Sequence, residues 1–145
     1  FGTAPSVEAS AARMREISAG FGPHTDDEWL ALSRPMLRPV PGGGWRMHYD
    51  PAIAQAFKAM TPEVSAASAM QLWQLYDRIH ARTLLLRGAQ SDLLSPETAQ
   101  AMVHRGPMAK LVEFEGVGHA PTLMAQDQVQ VVSEFLLAPE ATVAA

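Results

Sequence analysis

The sequence contains no cysteine, no surplus of basic residues and no long apolar run, and each absence excludes a class of protein. Without cysteine, its 145 residues can form neither a disulfide framework nor a cysteine-ligated zinc or iron–sulfur site. Eleven Lys and Arg against 15 Asp and Glu give a formal net charge of −4 at pH 7, which disfavours a nucleic-acid partner. No apolar run approaches the roughly 18 residues of a membrane-spanning helix, so we expect no membrane partner.

The sequence does contain enough apolar residues for the core of one ordinary domain. Hydrophobic residues make up 48% of the chain and charged residues 18%, and the length argues against two independent domains. The chain has eight methionines but begins with Phe1. We therefore expect that a segment of the parent protein precedes it.

The first part of the chain, residues 1–77, carries short helical patterns separated by turn residues. Apolar side chains recur at three- and four-residue steps over residues 6–19, and Gly20 is placed to end that helix in a left-handed cap. The sequence Thr-Asp-Asp-Glu at residues 25–28 predicts a capping box at the start of a second helix. Residues 45–49 alternate in polarity, which predicts either a short strand or an extended arm. Further helices are predicted downstream, so we expect an all-helical layer.

The second part, residues 78–138, has the pattern strand, helix, strand, helix. The continuous apolar run at residues 83–86 is typical of a parallel strand that is buried on both faces, and residues 111–114 predict the next strand. A strand–helix–strand unit of this length forms a right-handed parallel pair. Because two parallel strands are not a stable sheet on their own, we expect further strands outside this sequence. Residues 139–145 predict a flexible tail.

Two loops that directly follow the predicted strands carry the residues best suited to chemistry. Asp92 lies in the loop at residues 88–96, and His119, 27 residues later, lies in the loop at residues 116–121. Functional groups in open α/β sheets collect beyond the carboxyl ends of the strands. A carboxylate there can accept a hydrogen bond from a histidine, fix its tautomer and stabilise the imidazolium during proton transfer.

The stretch TLLLRGAQSDLLSPETAQAM, followed by LVEFEGVGHAPTLMAQDQVQVVSEFLL, resembles the C-terminal end of an α/β-hydrolase-fold enzyme. The resemblance covers about residues 78–137 and extends less specifically to residues 1–77, which are similar to a helical lid. It implies that Asp92 is the acid and His119 the histidine of a catalytic triad, in the family's order of nucleophile, acid and histidine. The implied fold class is α/β: two parallel strands with flanking helices, plus the lid. No cofactor or metal is implied.

The chain departs from this family in one respect, because it contains no G-x-S-x-G sequence. The nucleophile and the oxyanion-hole amides that accompany it are therefore expected upstream of Phe1. Ser91 is directly adjacent to Asp92 and is not expected to replace the nucleophile, and Ser95 is better interpreted as a helix N-cap. We expect the 145 residues alone to be inactive.

The function predicted for the parent is hydrolysis of a small-molecule carboxylic ester, or of a related acyl or C–C bond, by a Ser-His-Asp mechanism. The absence of cysteine fits the cytoplasm. The alternative is a non-catalytic association module. It would form a homodimer, or bind a partner or the rest of the parent, through its lid and an open strand edge.

Other conspicuous residues allow plainer interpretations. Trp29, Trp45, Met47, Tyr49 and Phe57 either line a substrate pocket or form the core of the helical layer. Glu113 and Glu115 are expected to be surface charges. Adaptable packing is expected of three methionines, Met36, Met60 and Met70. Solvation or local hydrogen bonding, rather than metal binding, is expected of four histidines, His24, His48, His80 and His104.

Overall fold

The structure of the chain is a computed structural model that describes residues 2–58, 61–119 and 121–139. Expectations that concern Phe1, Met60 and residues 140–145 of the tail lie outside these described residues. The chain divides into two compact units. The first comprises the described residues up to Ala19 and from Pro23 to Arg78. The second comprises Gly20–Gly22 and the described residues from Ile79 onward.

Within its described residues, the first unit contains four α-helices and a short antiparallel hairpin, with a 3₁₀ turn after the second helix. In chain order these are α1 (Val7–Ile17), α2 (Asp26–Ser33), β1 (Leu37–Pro39), β2 (Trp45–Met47), α3 (Ile53–Lys58) and α4 (Pro62–Tyr76).

Helices α1 and α2 pack on each other through apolar side chains, and each helix begins at a hydrogen-bonded N-cap. The Ser6 hydroxyl accepts a hydrogen bond from the Ala9 N–H at 3.1 Å. The predicted capping box is confirmed, since Thr25 and Glu28 satisfy each other's backbone N–H groups at the start of α2. Side chains from both helices are buried at their contact, among them Met14 and Trp29.

The expectation of an all-helical layer is wrong in one place, because β1 and β2 pair in register with Arg38 opposite Arg46. Pro39 has no backbone N–H to donate in a sheet, so the sequence of this segment resembles a strand only weakly. Three consecutive glycines with positive φ, at residues 42–44, close the hairpin. The expected left-handed cap at Gly20 is also absent. Helix α1 ends at Ile17 with Ser18 as its C-cap, and the positive φ of 97° in this region belongs to Gly22.

The second unit confirms the predicted order of strand, helix, strand and helix. Its elements are β3 (Leu84–Gly88), α5 (Pro96–Val103), β4 (Lys110–Phe114) and α6 (Gln126–Leu137). Strands β3 and β4 are parallel, and their register places Gly88 opposite Phe114. The carboxyl ends of the two strands therefore lie at the same edge.

The apolar side chains of helix α6 are only partly covered. Val129 and Leu136 are 44% and 68% exposed, whereas Val132 and Phe135 are half-buried. The buried residue is Gln128, whose side-chain oxygen accepts a hydrogen bond from the Leu123 N–H at 2.8 Å. This bond satisfies a polar group that would be costly to bury alone.

No helix within the described ranges is long and apolar enough to cross a membrane.

Candidate active site

The candidate site is formed by the two loops that leave the carboxyl ends of β3 and β4. Asp92 lies in the first loop and His119 in the second, and both residues are exposed. The parallel register brings the starting points of the loops side by side. The structure thus places the two predicted residues on adjacent loops at one edge of the strand pair, where open α/β sheets bind ligands.

Backbone contacts lock the two loops together. The Ala89 N–H donates to the Phe114 carbonyl at 2.9 Å, and the Gln90 N–H donates to the Val117 carbonyl at 3.0 Å. Gly88 lies so close to the second loop that a Cβ there would overlap the carbonyl oxygens of Val117 and Gly118. The absence of a side chain at residue 88 is therefore what allows the loops to meet.

A third segment, Gly20–Gly22, packs against the second loop. The Gly118 N–H donates to the Gly20 carbonyl, and a Cβ on Gly118 would lie only 2.5 Å from that oxygen. The Val117 side chain approaches Gly22, where a Cβ would lie 3.3 Å from Val117 Cγ2. The loop that carries His119 is thus held from two sides.

The loop that carries Asp92 is closed by its own hydrogen bonds. The Ser91 hydroxyl accepts from the Leu94 N–H at 3.1 Å, and the Arg87 Nε donates to the Leu94 carbonyl at 2.8 Å. Both bonds span Asp92 and restrain the backbone on each side of it. Ser91 therefore has a structural role here.

Arg87 is almost fully buried, with 3% of its surface exposed, and its guanidinium forms an ion pair with Glu113. The pairing follows from the register, which places Arg87 on β3 opposite Glu113 on β4. Glu113 is exposed, as expected of a surface charge, and it also pairs with a buried arginine. Glu115 is exposed as well and accepts a 3.4 Å hydrogen bond from the Gln90 side chain.

The predicted N-cap at Ser95 is confirmed and anchors the end of the first loop. Its hydroxyl accepts from the Thr98 N–H at 3.1 Å. The Glu97 backbone N–H and the Ser95 hydroxyl hold the pKa of the Glu97 carboxyl below its ordinary value. This carboxylate lies in the first turn of α5, where the positive end of the helix dipole stabilises it.

Asp92 and His119 share an edge, but their side chains are not bonded to each other. Within the described part of the chain, no hydrogen bond or ion pair joins their side chains. A triad in its working geometry needs that bond, and such bonds are often long in unliganded sites and tighten when substrate binds.

Sequence reasoning missed three contributors to this site: Arg87, Gly88 and Gly20. Arg87 was recognisable as a charged residue directly after the apolar run at residues 83–86, with an acidic residue at the matching position of the next strand. The role of Gly20 carries no local signal, because its partner Gly118 is far away in the sequence.

None of the described residues form a group of three or more His, Cys, Asp or Glu side chains that could hold a metal ion. Of the four histidines outside the site, His104 shows the expected local hydrogen bond, with 2.7 Å between its Nδ1 and the Gln100 carbonyl oxygen.

The sequence is similar to a 3-hydroxybutyrate-oligomer hydrolase from Cupriavidus necator. The two are 42% identical over 133 residues, which cover 90% of this chain and 45% of that protein. The chain therefore spans less than half the length of this curated relative. No protein-family model matches the chain.

The solved structures that share this fold include two hydrolases. An α/β hydrolase from Novosphingobium aromaticivorans superposes with a TM-score of 0.73 at 29% identity, over 93% of this chain and 47% of that one. An E-2-(acetamidomethylene)succinate hydrolase superposes with a TM-score of 0.68 at 18% identity, over 94% and 47% of the respective chains. The resemblance that the sequence motifs indicate is thereby confirmed: the chain has part of an α/β-hydrolase fold.

Proposed function

We propose that this partial α/β-hydrolase fold supplies the acid and the histidine of a hydrolase that cleaves carboxylic esters. The observation that carries the proposal is the position of Asp92 and His119 on two interlocked loops at the carboxyl ends of adjacent parallel strands. This is where the family's order of nucleophile, acid and histidine puts its last two members.

The proposed mechanism assigns one role to each side chain. Asp92 accepts a hydrogen bond from one ring nitrogen of His119, which fixes the tautomer and stabilises the imidazolium. His119 removes the proton from a serine hydroxyl as that oxygen attacks the ester carbonyl, and later returns a proton to the alcohol that leaves. The serine and its oxyanion hole are contributed by residues outside these 145, which contain no G-x-S-x-G sequence.

The substrate we propose is a short oligomer of a hydroxy acid. Its units are joined by ester bonds, and the relative from Cupriavidus necator is named for hydrolysis of 3-hydroxybutyrate oligomers. Residues 1–77 would act as a lid that excludes water from the bound ester and shapes specificity.

Labelling with a fluorophosphonate tests the mechanism, because the probe reacts with a serine that an adjacent histidine activates. In the whole protein that contains these residues, we expect labelling that is lost in His119→Gln. His80→Gln changes an exposed histidine outside the two loops and provides the matched control, which should label normally. The 145-residue chain alone should not label.

Two outcomes would contradict the proposal. Labelling of His119→Gln at the wild-type rate would remove His119 from the mechanism. An active whole protein that never reacts with the probe would indicate a carboxylate nucleophile, as in dehalogenases and epoxide hydrolases, in place of a serine.

A second candidate function, association with a partner or a second copy, is favoured by the exposure of α4. Val64, Met70, Leu72 and Leu75 on this helix are each more than half exposed, and Phe57 on α3 is 68% exposed. Apolar surface of this kind marks an interface more often than a free surface. Phe57 and Tyr49, at 68% and 46% exposed, do not belong to the core of the first unit.

The mass of the protein in solution separates the two candidates when it is measured together with hydrolysis. Ester hydrolysis by a monomer supports the enzyme alone. A stable dimer without hydrolysis, weakened by Leu72→Ser but not by Val129→Ser on α6, supports the association module.

A further inference from the structure

Two arginines face each other across the β1–β2 hairpin. The register places Arg38 directly opposite Arg46. Side chains of such a pair lie on the same face of the hairpin, with their Cβ atoms about 4.5–5.5 Å apart. Like charges in this position destabilise a strand pair, so the arrangement is unfavourable for folding alone.

No ion pair within the described residues relieves this pair. Neither the Arg38 nor the Arg46 guanidinium has an ion pair or a hydrogen bond there. The chain does pair other arginines: Arg15 contacts Asp26 at 2.6 Å, and Arg87 contacts Glu113. The hairpin pair is therefore a local surplus of positive charge in a chain whose formal net charge is −4.

The two arginines line an open cleft of about 470 Å³ in the first unit, within the size range of small-molecule sites. His48, two residues after Arg46, also lines this cleft. The acidic group in the lining is Asp50, and one of its oxygens already accepts a hydrogen bond from the Ala52 N–H at 2.9 Å. The lining comprises Arg38, Arg46, His48, Tyr49, Asp50 and Pro51.

A second cavity of about 110 Å³ shares four of these residues and adds an apolar surface. It is lined by Arg38, Arg46, Tyr49 and Pro51 together with Met47. The cationic end of the cleft thus lies next to a pocket of the size of a few methylene groups. A ligand that carries an anionic terminus on a short aliphatic body matches both features.

We propose that the cleft between Arg38 and Arg46 binds the free carboxylate end of a hydroxy-acid oligomer. Two guanidinium groups offer forked donors that match a carboxylate, and Tyr49 and His48 line the same cleft. The aliphatic units next to the carboxylate lie against Met47 and Pro51. The choice of ligand rests on the proposed function, since a hydroxy-acid oligomer carries one carboxylate and otherwise neutral esters.

Calorimetric binding to the whole protein tests this proposal without relying on hydrolysis. The protein carries His119→Gln so that ligand is not consumed, and the ligands are the 3-hydroxybutyrate trimer, its methyl ester and inorganic phosphate. We expect the trimer to bind about tenfold more tightly than its methyl ester, because the ester cannot form charge-assisted hydrogen bonds. Trimer binding should weaken as salt is raised. Both comparisons use an unaltered cleft.

Three variants in the same background locate the binding site. Arg38→Gln and Arg46→Gln should each raise the trimer Kd about tenfold. Arg78→Gln removes the same charge from an exposed arginine outside the cleft and should leave the Kd unchanged. Arg38→Glu places opposite charges across the hairpin, so it should keep or raise the Tm while it abolishes binding of the trimer.

Equal Kd values for trimer and methyl ester, or full binding by Arg38→Glu, would overturn the proposal. Binding of phosphate without binding of the trimer would also overturn it and would assign the cleft to phosphate. Failure of the proposed function has a different signature: the trimer binds through Arg38 and Arg46, but the unaltered protein does not hydrolyse it.

Discussion

Replacing Gly88 with alanine is a direct test of the contact between the two loops. The new Cβ would overlap the carbonyl oxygens of Val117 and Gly118 and lie 2.7 Å from the Val117 carbonyl carbon. These are backbone atoms that no rotamer change can move away, so the loops must separate. Overpacking of this kind costs about 1–3 kcal/mol, and we expect the upper end of that range from urea unfolding.

The same displacement should lower activity, because it moves the loop of His119 away from the loop of Asp92. The Gly88→Ala Cβ would lie 2.7 Å from the Val117 carbonyl carbon, so the loops must separate by at least about 0.7 Å to reach an ordinary 3.4 Å contact. A misplacement of about 1 Å can reduce a rate about 100-fold, and we expect a loss of that order in kcat/KM for Gly88→Ala.

Gly20→Ala is the matched control, because its Cβ would approach Gly118 Cα at an ordinary 3.8 Å and its φ is not positive. It should change the free energy of unfolding by less than about 0.5 kcal/mol. If Gly88→Ala were as stable and as active as Gly20→Ala, the loops would not be locked in the way described.

Two further perturbations test what supports the site and the first unit. Glu113→Ala leaves the buried Arg87 guanidinium with the Leu94 carbonyl as its remaining partner among the described residues, and it should cost about 2 kcal/mol in chemical unfolding; a cost near zero would contradict the pairing. Thr25→Ala removes the hydroxyl cap of α2 and should cost about 1 kcal/mol. The Thr25 backbone N–H and hydroxyl lower the pKa of Glu28 in the folded state, so this contribution to stability is present above the ordinary pKa of the carboxyl and is lost as the pH falls through the lowered value. Thr25→Ala keeps the backbone N–H and removes only the hydroxyl, so it should flatten the acid limb of a plot of stability against pH in part, and an unchanged limb would refute the contribution of the hydroxyl.

Local rules predicted the parts of the fold that depend on neighbouring residues. The capping box at Thr25 and the N-cap at Ser95 depend on side chains three residues apart, so the sequence alone contains them. The two parallel strands were predictable because strands buried on both faces have continuous apolar runs. The placement of Asp92 and His119 on one edge follows from that parallel pairing.

The remaining features depend on register and on contacts between distant segments. The pairs Arg87–Glu113 and Arg38–Arg46 exist only once strand register is set, and a shift of one residue would move each side chain to the other face. The contact of Gly20 with Gly118 joins distant parts of the sequence, which no local pattern encodes.

The most direct test of the proposed function is a double-mutant cycle on hydrolysis of the 3-hydroxybutyrate trimer by the whole protein. We expect Asp92→Asn and His119→Gln each to lower kcat about 10³-fold or more, and the double variant to be little worse than His119→Gln alone, because the two side chains act as one unit. Independent, multiplicative losses, or wild-type kcat in Asp92→Asn, would contradict the account.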